Sequence, residues 1–319
     1  MDIGYVWMMP RSGSFSELMN NLDQWPQTLA AIDTIGFAAH RLTQDYTNEE
    51  REAGFAKLQE LGVSLALEVG AIKEFTLTGV NTFFAQTIMW QDLLEQGANI
   101  GGIVLDEPLV NVFNFPQHDH VGDAAAKFEY AVEETAEFIK LVREHYPDWF
   151  IAGIEAFPFF NADFIIRWID ALEARLAAKG IRGQDFFRLD VDWNALGVTY
   201  TNGLKERVNI SWEQGWREVK RIEDHCRSIG LRFSLVYWAA KVPASQALMD
   251  DPSSWFNGIM EMGQGYHDAG GRPDQYVIQT WIPGIPIKTL PETDPESFTY
   301  SVAEFYKRFI PEKKEVLDE

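Results

Sequence analysis

Cysteine and basic residues are scarce in this chain of 319 residues. Cys226 is the single cysteine, which excludes an intramolecular disulfide and a cysteine-based metal site. Lysine and arginine number 27 against 48 aspartate and glutamate residues, so the formal net charge is −21. Because an acidic surface repels phosphate groups, we expect no nucleic acid among the partners.

Long apolar runs and phosphate-binding loops are also missing. No stretch approaches the roughly 20 continuous apolar residues of a membrane span, so no membrane partner is expected. Neither GxGxxG nor GxxxxGK[ST] follows an early strand, and we predict no cofactor and no bound metal. The chain opens with MDIGYVW, without a basic-then-apolar leader. We expect a cytoplasmic protein or a secreted one that lacks its signal, and the sequence does not separate the two.

Eight short apolar runs alternate with amphipathic stretches. Each run is rich in β-branched, aromatic or aliphatic residues, as buried strands are. The predicted strands are Ile3–Met8, Ile35–Leu42, Val63–Val69, Ile100–Leu105, Trp149–Phe157, Phe186–Trp193, Arg232–Trp238 and Tyr276–Trp281.

The intervening stretches predict helices. Apolar residues recur at three- and four-residue spacing in Phe128–Tyr146, Ala162–Lys179 and Trp212–Ile229. Gly180 and Gly230 follow two of them, as glycines that end helices do. Strands that alternate with helices form a parallel sheet. Eight such units predict one (β/α)8 barrel, a TIM barrel, as a single domain over residues 1–319. We predict extended loops at Pro108–Ala124 and Pro283–Thr299.

Polar residues mark the carboxyl ends of the predicted strands, where barrel enzymes carry their active sites. Along strand six, Arg188, Asp190 and Asp192 are spaced by two, so all three face the barrel interior. The polar residues at the strand ends are His40 and Arg41 on strand two, Glu68 on strand three, Asp106 and Glu107 on strand four, Glu155 on strand five, Arg188, Asp190 and Asp192 on strand six, and Gln279 on strand eight.

So many acids at one rim have two explanations. Each acid can form a structural ion pair with a buried donor such as Arg188 or Arg41. Alternatively, the cluster serves acid and base roles, or surrounds a cation, because like charges at short range raise pKa values. The number of acids favours a functional site.

Aromatic residues also collect near the strand ends. Their flat faces can stack on sugar rings while their polar edges bind hydroxyls. Carboxylates and tryptophans together favour a neutral carbohydrate as substrate. The predicted aromatic contacts are Trp7, Trp193, Tyr237, Trp238 and Trp281.

The fourth strand, IGGIVLDEPL, resembles that of a large clan of barrel glycoside hydrolases, in which strand four ends in Asn–Glu–Pro. This resemblance implies that Glu107 is the acid/base residue and that Asp106 contacts the sugar. Trp281 at the end of strand eight and Arg41 at the end of strand two are similar to residues of that clan. The implied activity is hydrolysis of a glycosidic bond in an oligo- or polysaccharide.

The resemblance ends at strand seven. The clan has its nucleophilic Glu there, whereas this chain reads LVYWAA at 235–240. A second carboxylate is needed to attack the anomeric carbon or to activate water, and its distance from the acid decides the stereochemical outcome. We predict Glu155 as this partner, narrowly ahead of Asp192 and Asp190.

Two other functions fit parts of the pattern. A metal-dependent sugar isomerase or epimerase would hold a divalent cation through Glu155, Asp190 and Glu107. Such enzymes also open with a strand of the MxIGY kind, but the histidine ligand expected on a late strand is missing. His118 and His120 lie in the predicted loop after strand four. A non-catalytic carbohydrate-binding barrel would keep the tryptophans without needing so many acids.

Overall fold

Eight parallel strands close into a barrel in the computed structural model, which describes residues 6–11, 13–73, 76–192, 195–238, 253–280 and 287–310. This confirms the predicted TIM barrel. The order around the barrel follows the chain, and the last strand pairs with the first. The barrel strands are β1 (Val6–Met9), β2 (Thr34–Ala38), β3 (Ser64–Gly70), β4 (Ile100–Asp106), β5 (Phe150–Phe157), β6 (Phe186–Val191), β9 (Arg232–Tyr237) and β10 (Gln275–Gln279).

Helices surround the barrel between the strands, and two short 3₁₀ helices (Leu22–Gln24 and Pro116–Val121) accompany them. No helix within the described ranges is long and apolar enough to cross a membrane. The α-helices are α1 (Phe15–Asn20), α2 (Pro26–Ala31), α3 (Ala39–Asp45), α4 (Asn48–Glu60), α5 (Gly79–Glu95), α6 (Pro108–Asn114), α7 (Ala124–His145), α8 (Ala162–Ala178), α9 (Trp212–Ser228), α10 (Ser253–Asp268) and α11 (Phe298–Phe309).

Local signals start and end the longer helices. The Asn161 side chain accepts a hydrogen bond from the backbone N–H of Phe164 at 2.9 Å, which caps the start of α8. Gly180 and Gly230 follow α8 and α9 with φ values of 69° and 77°. That left-handed backbone is favourable only for glycine, so both predicted helix ends are confirmed.

The strand register decides which side chains enter the barrel. In neighbouring parallel strands, paired residues point to the same side of the sheet. Arg188 pairs with Ile154 and Asp190 pairs with Ala156, whereas Glu155 pairs with Leu189. Arg188 and Asp190 therefore face the interior, and Glu155 faces the surrounding helices.

Three aromatic rings fill the amino-terminal end of the barrel. Trp7 lies 5.1 Å from Phe150 and 5.5 Å from Phe186, measured between ring centroids. Phe150 and Phe186 are the first residues of β5 and β6. The barrel is thus closed by packed side chains below its carboxyl-terminal mouth.

Two predicted boundaries at the mouth are wrong. Strand two was predicted to reach Leu42, but β2 ends at Ala38 and α3 begins at Ala39. The predicted loop Pro108–Ala124 contains α6 and the 3₁₀ helix Pro116–Val121. Residues 283–286 of the other predicted loop lie outside the described residues, and α11 begins at its end.

An antiparallel hairpin adds to the mouth after β6 and was not predicted. Its strands are β7 (Thr199–Thr201) and β8 (Arg207–Asn209). The Tyr200 hydroxyl ties this hairpin to the end of β5 by donating to the Pro158 carbonyl at 2.8 Å.

Candidate active site

Glu107 occupies the turn between β4 and α6 in an unusual backbone conformation. Its φ and ψ are 50° and 53°, in the left-handed region, which costs a non-glycine residue roughly 1–2 kcal/mol. The turn is held because the Glu107 N–H donates to the Leu105 carbonyl at 3.1 Å and the Glu107 carbonyl accepts from Asn111 N–H at 2.9 Å. Strained backbone of this kind concentrates at functional sites.

The Glu107 carboxyl is surrounded by other acids. The pKa of Glu107 is raised well above its usual value. Burial is the largest cause of this rise, and the negative charge of Asp106 is the next largest. Asp190 and Glu155 raise this pKa further, whereas Lys73 lowers it. Burial and the neighbouring negative charges therefore favour the protonated form of Glu107, which is the form that can donate a proton.

Asp106 faces the barrel mouth and forms an ion pair with Lys73. Burial alone would lower the pKa of Lys73. Asp106, together with smaller contributions from Glu107 and Glu68, outweighs this effect, and the pKa of Lys73 is raised above its usual value. Lys73 is thus a cation within the acid cluster. The sequence reasoning missed it because Lys73 follows the end of β3 by three residues and belongs to no motif.

Asp190 lies across the mouth on β6. The indole N–H of Trp238 donates a hydrogen bond to its carboxylate. Burial raises the pKa of Asp190 to about 7, Trp238 lowers it, and Asp192 raises it. Asp190 therefore changes protonation state near neutral pH.

Glu68 completes the group of interior acids. Burial, followed by the negative charge of Asp106, raises its pKa to about 7. Gln279 donates a hydrogen bond to the Glu68 carboxylate at 3.3 Å. Glu68 and Gln279 thus join β3 and β10 at the mouth.

Arg188 lies beneath these acids and is fully buried. Its guanidinium donates to Ser234 at 3.1 Å and stacks over the Trp7 ring at 4.3 Å. Burial lowers the pKa of Arg188 to about 9, and the charges of Glu68 and Asp190 raise it. Arg188 therefore supports the acid cluster electrostatically from below, rather than contacting a substrate in the mouth.

Glu155 has a structural position, which corrects the prediction that it is the catalytic partner of Glu107. Its side chain is 0% exposed and points to the helix layer. The carboxylate accepts hydrogen bonds from the N–H groups of Leu109 at 2.8 Å and Val110 at 3.2 Å, the free donors in the first turn of α6. Burial raises the pKa of Glu155 and these two donors lower it.

The predicted aromatic contacts divide into three groups. Trp7 is 0% exposed in the aromatic cluster of the barrel, and Tyr237 is 1% exposed, with its ring centroid 4.6 Å from that of Phe305. Both are core residues, so the predictions that they bind substrate are corrected. Trp238 contacts a residue of the mouth, because its indole N–H donates a hydrogen bond to the Asp190 carboxylate. Trp193 and Trp281 lie outside the described residues.

Asp192 lies just beyond the last residue of β6, and its N–H donates to the Phe157 carbonyl at 2.7 Å. Its negative charge, after the larger effect of burial, raises the pKa of Tyr200 to about 12. Asp192 thus lies between β6 and the hairpin, at the edge of the acid cluster.

His40 and Arg41 lie in the first turn of α3 rather than on a strand. His40 borders a cavity of about 590 Å³ that also includes Glu68, Lys73 and Asp106. The pKa of His40 is lowered, mainly by its partial burial and next by the positive charge of Arg41. Arg41 lies on a smaller adjoining hollow and pairs with Asp45 at 3.7 Å.

The acids of the mouth do not form a metal-binding geometry. Within the described part of the chain, no group of three or more His, Cys, Asp or Glu side chains is arranged to hold an ion. His118, which the sequence placed in a loop, is buried and hydrogen-bonded to the Ile72 carbonyl at 3.0 Å.

No protein-family model matches this chain, and no curated protein matches it in sequence. Solved structures are similar to it in fold. A thermostable mutant of the xylanase Xyn10A from Cellvibrio japonicus has a TM-score of 0.51 at 12% identity, with 91% of each chain covered. The aldolase QR15 has a TM-score of 0.50 at 12% identity, with 95% of each chain covered.

A D-psicose 3-epimerase is similar with a TM-score of 0.49 at 12% identity, over 99% of this chain and 100% of that chain. At such low identity, the likenesses to Xyn10A and QR15 show the barrel fold alone. One of these two proteins is a xylanase and the other an aldolase. A function for this chain must therefore be argued from its own site.

Proposed function

We propose that this protein is a glycoside hydrolase that cleaves a glycosidic bond in an oligo- or polysaccharide. Glu107 donates the proton, and Asp190 is the second carboxylate. The observation that carries the proposal is the placement of these two acids in one buried cluster at the mouth, where the negative charge of Asp190 helps to raise the pKa of Glu107. The pKa of Glu107 is raised well above its usual value, and that of Asp190 is raised to about 7.

The reaction needs one protonated and one ionised carboxyl. Burial and neighbouring acids favour the protonated form of Glu107, and Asp190 has a pKa of about 7, so the pair can hold one proton and one negative charge, as acid and base roles require. Glu107 transfers that proton to the leaving oxygen as the bond to the anomeric carbon breaks. Asp190 either attacks that carbon or removes a proton from the attacking water.

Nearby residues assist the pair. Trp238 positions Asp190 through its indole N–H, and its ring is buried, with 3% of the residue exposed. Lys73 forms an ion pair with Asp106 beside Glu107. Asp192 is the remaining candidate for the second carboxylate, because Glu155 faces away from the mouth.

Glu107→Gln tests the acid role through its dependence on the leaving group. General acid catalysis contributes roughly 10²- to 10⁴-fold, so the variant should lose that factor on oligosaccharides. It should lose much less on dinitrophenyl glycosides, whose leaving group needs no proton. Equal losses on both substrates would contradict the assignment. Turnover of a panel of oligosaccharides and polysaccharides, with and without EDTA, provides the measurement.

Asp190→Asn and Asp192→Asn form a matched pair for the second carboxylate. We expect Asp190→Asn to abolish turnover and Asp192→Asn to retain most of it. The reverse result would transfer the role to Asp192. If turnover occurs only on free sugars, or is lost in EDTA and restored by a divalent cation, the hydrolase proposal fails.

A further inference from the structure

The cavity of about 590 Å³ beside the mouth has two chemically different ends. Its polar end is formed by Glu68, Asp106, Lys73 and His40, which belong to the acid cluster or border it. Its other wall comes from α5, where Ala85, Gln86 and Met89 line it. A ligand that fills the cavity therefore meets charged groups at one end and, at the other, the apolar side chains of Ala85 and Met89 with the Gln86 amide between them.

The apolar wall continues onto the outer surface of α5. Phe84 and Ile88 are 61% and 72% exposed, the two largest values among the exposed large apolar residues of the described chain. The segment Gly79–Gln91 contains no charged residue, although 24% of the whole chain is charged. Exposed apolar surface that adjoins a cavity is typical of ligand-binding sites.

The position of the acid decides which part of a substrate this cavity receives. The acid in a glycosidase lies on the side of the leaving group, because it protonates the leaving oxygen. Glu107 is the residue after Asp106, which lines the cavity. In contrast, Asp190 lies on β6 and Trp238 follows β9. The leaving group is therefore directed toward α5, and the sugar toward Asp190.

We infer that this cavity binds the apolar aglycone of a glycoside, an alkyl chain or an aromatic ring, against Ala85 and Met89. The inference rests on the proposed hydrolase, since it uses Glu107 to orient the substrate. Binding itself needs no turnover, so the two proposals can fail separately.

Thioglycosides, which resist hydrolysis, make binding measurable on its own. The probes are methyl, butyl, hexyl and octyl thioglucosides and thiogalactosides below their micelle concentrations, with linear alcohols of the same lengths as probes of the wall alone. Spectra of protein labelled with ¹³C-methyl methionine report on Met89, whose signal is assigned with Met89→Leu. We expect this signal to move, and affinity to rise about two- to fourfold per added methylene.

Substitutions of the wall provide the control. Met89→Gln should abolish the dependence on chain length, whereas Ile229→Gln, at an exposed apolar residue after α9, should leave it unchanged. Ala85→Gln replaces Met89→Gln if that variant does not fold. A dependence on chain length that survives both wall variants would overturn the inference.

Vesicles distinguish a soluble aglycone from a membrane-borne one. Sedimentation with phosphatidylcholine vesicles that carry glucosylceramide, but not with plain vesicles, would assign the aglycone to a glycolipid. Movement of the Met89 signal with soluble thioglycosides alone would assign it to a soluble glycoside. If neither occurs and the alcohols also leave Met89 unmoved, the inference is wrong. Chain-length dependence without hydrolysis of any glycoside would refute the hydrolase and leave the cavity assignment standing.

Discussion

At the scale of single residues, Trp238 controls the protonation of Asp190. Its indole N–H donates to the carboxylate and lowers the pKa of Asp190, which burial raises to about 7. The proposed reaction needs Asp190 ionised and Glu107 protonated. We therefore expect the pH profile of kcat/KM to rise through about pH 7 and to fall at higher pH, where Glu107 loses its proton.

Trp238→Phe should move the lower limb of this profile upward. The variant keeps an aromatic ring at this buried position but loses the N–H donor, so the pKa of Asp190 rises. A hydrogen bond to a charged group contributes roughly 1.5–3 kcal/mol, which corresponds to about one to two pH units. A lower limb that stays in place, or moves to lower pH, would show that another group sets it.

Lys73 acts on the other carboxyl of the pair. Its positive charge lowers the pKa of Glu107, so Lys73→Met should raise that pKa and move the upper limb of the profile to higher pH. Lys73→Arg keeps the charge and is the matched control, with an upper limb close to that of the wild type. Identical profiles for Lys73→Met and the wild type would exclude Lys73 from the electrostatics of Glu107.

At the scale of elements, α6 holds the turn at Glu107 in place and depends on Glu155. Glu155→Gln keeps the shape of the side chain but points an amide N–H₂ toward one of two backbone donors. We expect the free energy of unfolding to fall by about 1–3 kcal/mol, measured in urea. Turnover should stay within about tenfold of the wild type, because Glu155 contacts no substrate.

Comparing the turnover and stability of Glu155→Gln with those of Asp190→Asn decides whether Glu155 has a structural or a catalytic role. If Glu155→Gln loses turnover as completely as Asp190→Asn while its stability is unchanged, Glu155 is a catalytic carboxylate after all. Loss of stability with retained turnover supports its role as the cap of α6.

The same helix marks the limit of prediction from sequence. The eight barrel strands were predictable because buried parallel strands are apolar on both faces. The segment after Glu107 begins with Pro and contains two Asn residues, which favour a loop when considered locally. Its first turn is stabilised by Glu155, 46 residues away from Leu109 in sequence, and no local pattern records such a cap.

The candidate site was predictable only in part, for a similar reason. Alternation along strand six correctly indicated that Arg188 and Asp190 face the interior. For Glu155, facing direction depends on pairing with Leu189 of the next strand, which the residues of strand five do not reveal. Trp7 and Tyr237 are core residues because of ring contacts between distant elements, and aromatic content alone does not separate core from mouth.

At the scale of the whole molecule, the acid cluster affects stability as well as chemistry. Glu68 and Asp190 have pKa values of about 7 in the folded protein, above their usual values of 4.5 and 3.8. Between roughly pH 4 and pH 7 the folded state therefore binds more protons than the unfolded state. Stability must fall as the pH rises through this window.

The net charge of −21 acts in the same direction, because deprotonation adds to repulsion within an already acidic molecule. We expect a higher Tm near pH 5.5 than near pH 8, and added salt should raise the Tm at pH 8 by screening that repulsion. In the double variant Glu68→Gln, Asp190→Asn, the pH-dependent part should shrink while the salt effect remains. A Tm that rises from pH 5.5 to pH 8 would mean that these two acids are ionised throughout, and it would remove the basis for Asp190 as the group that titrates near neutral pH.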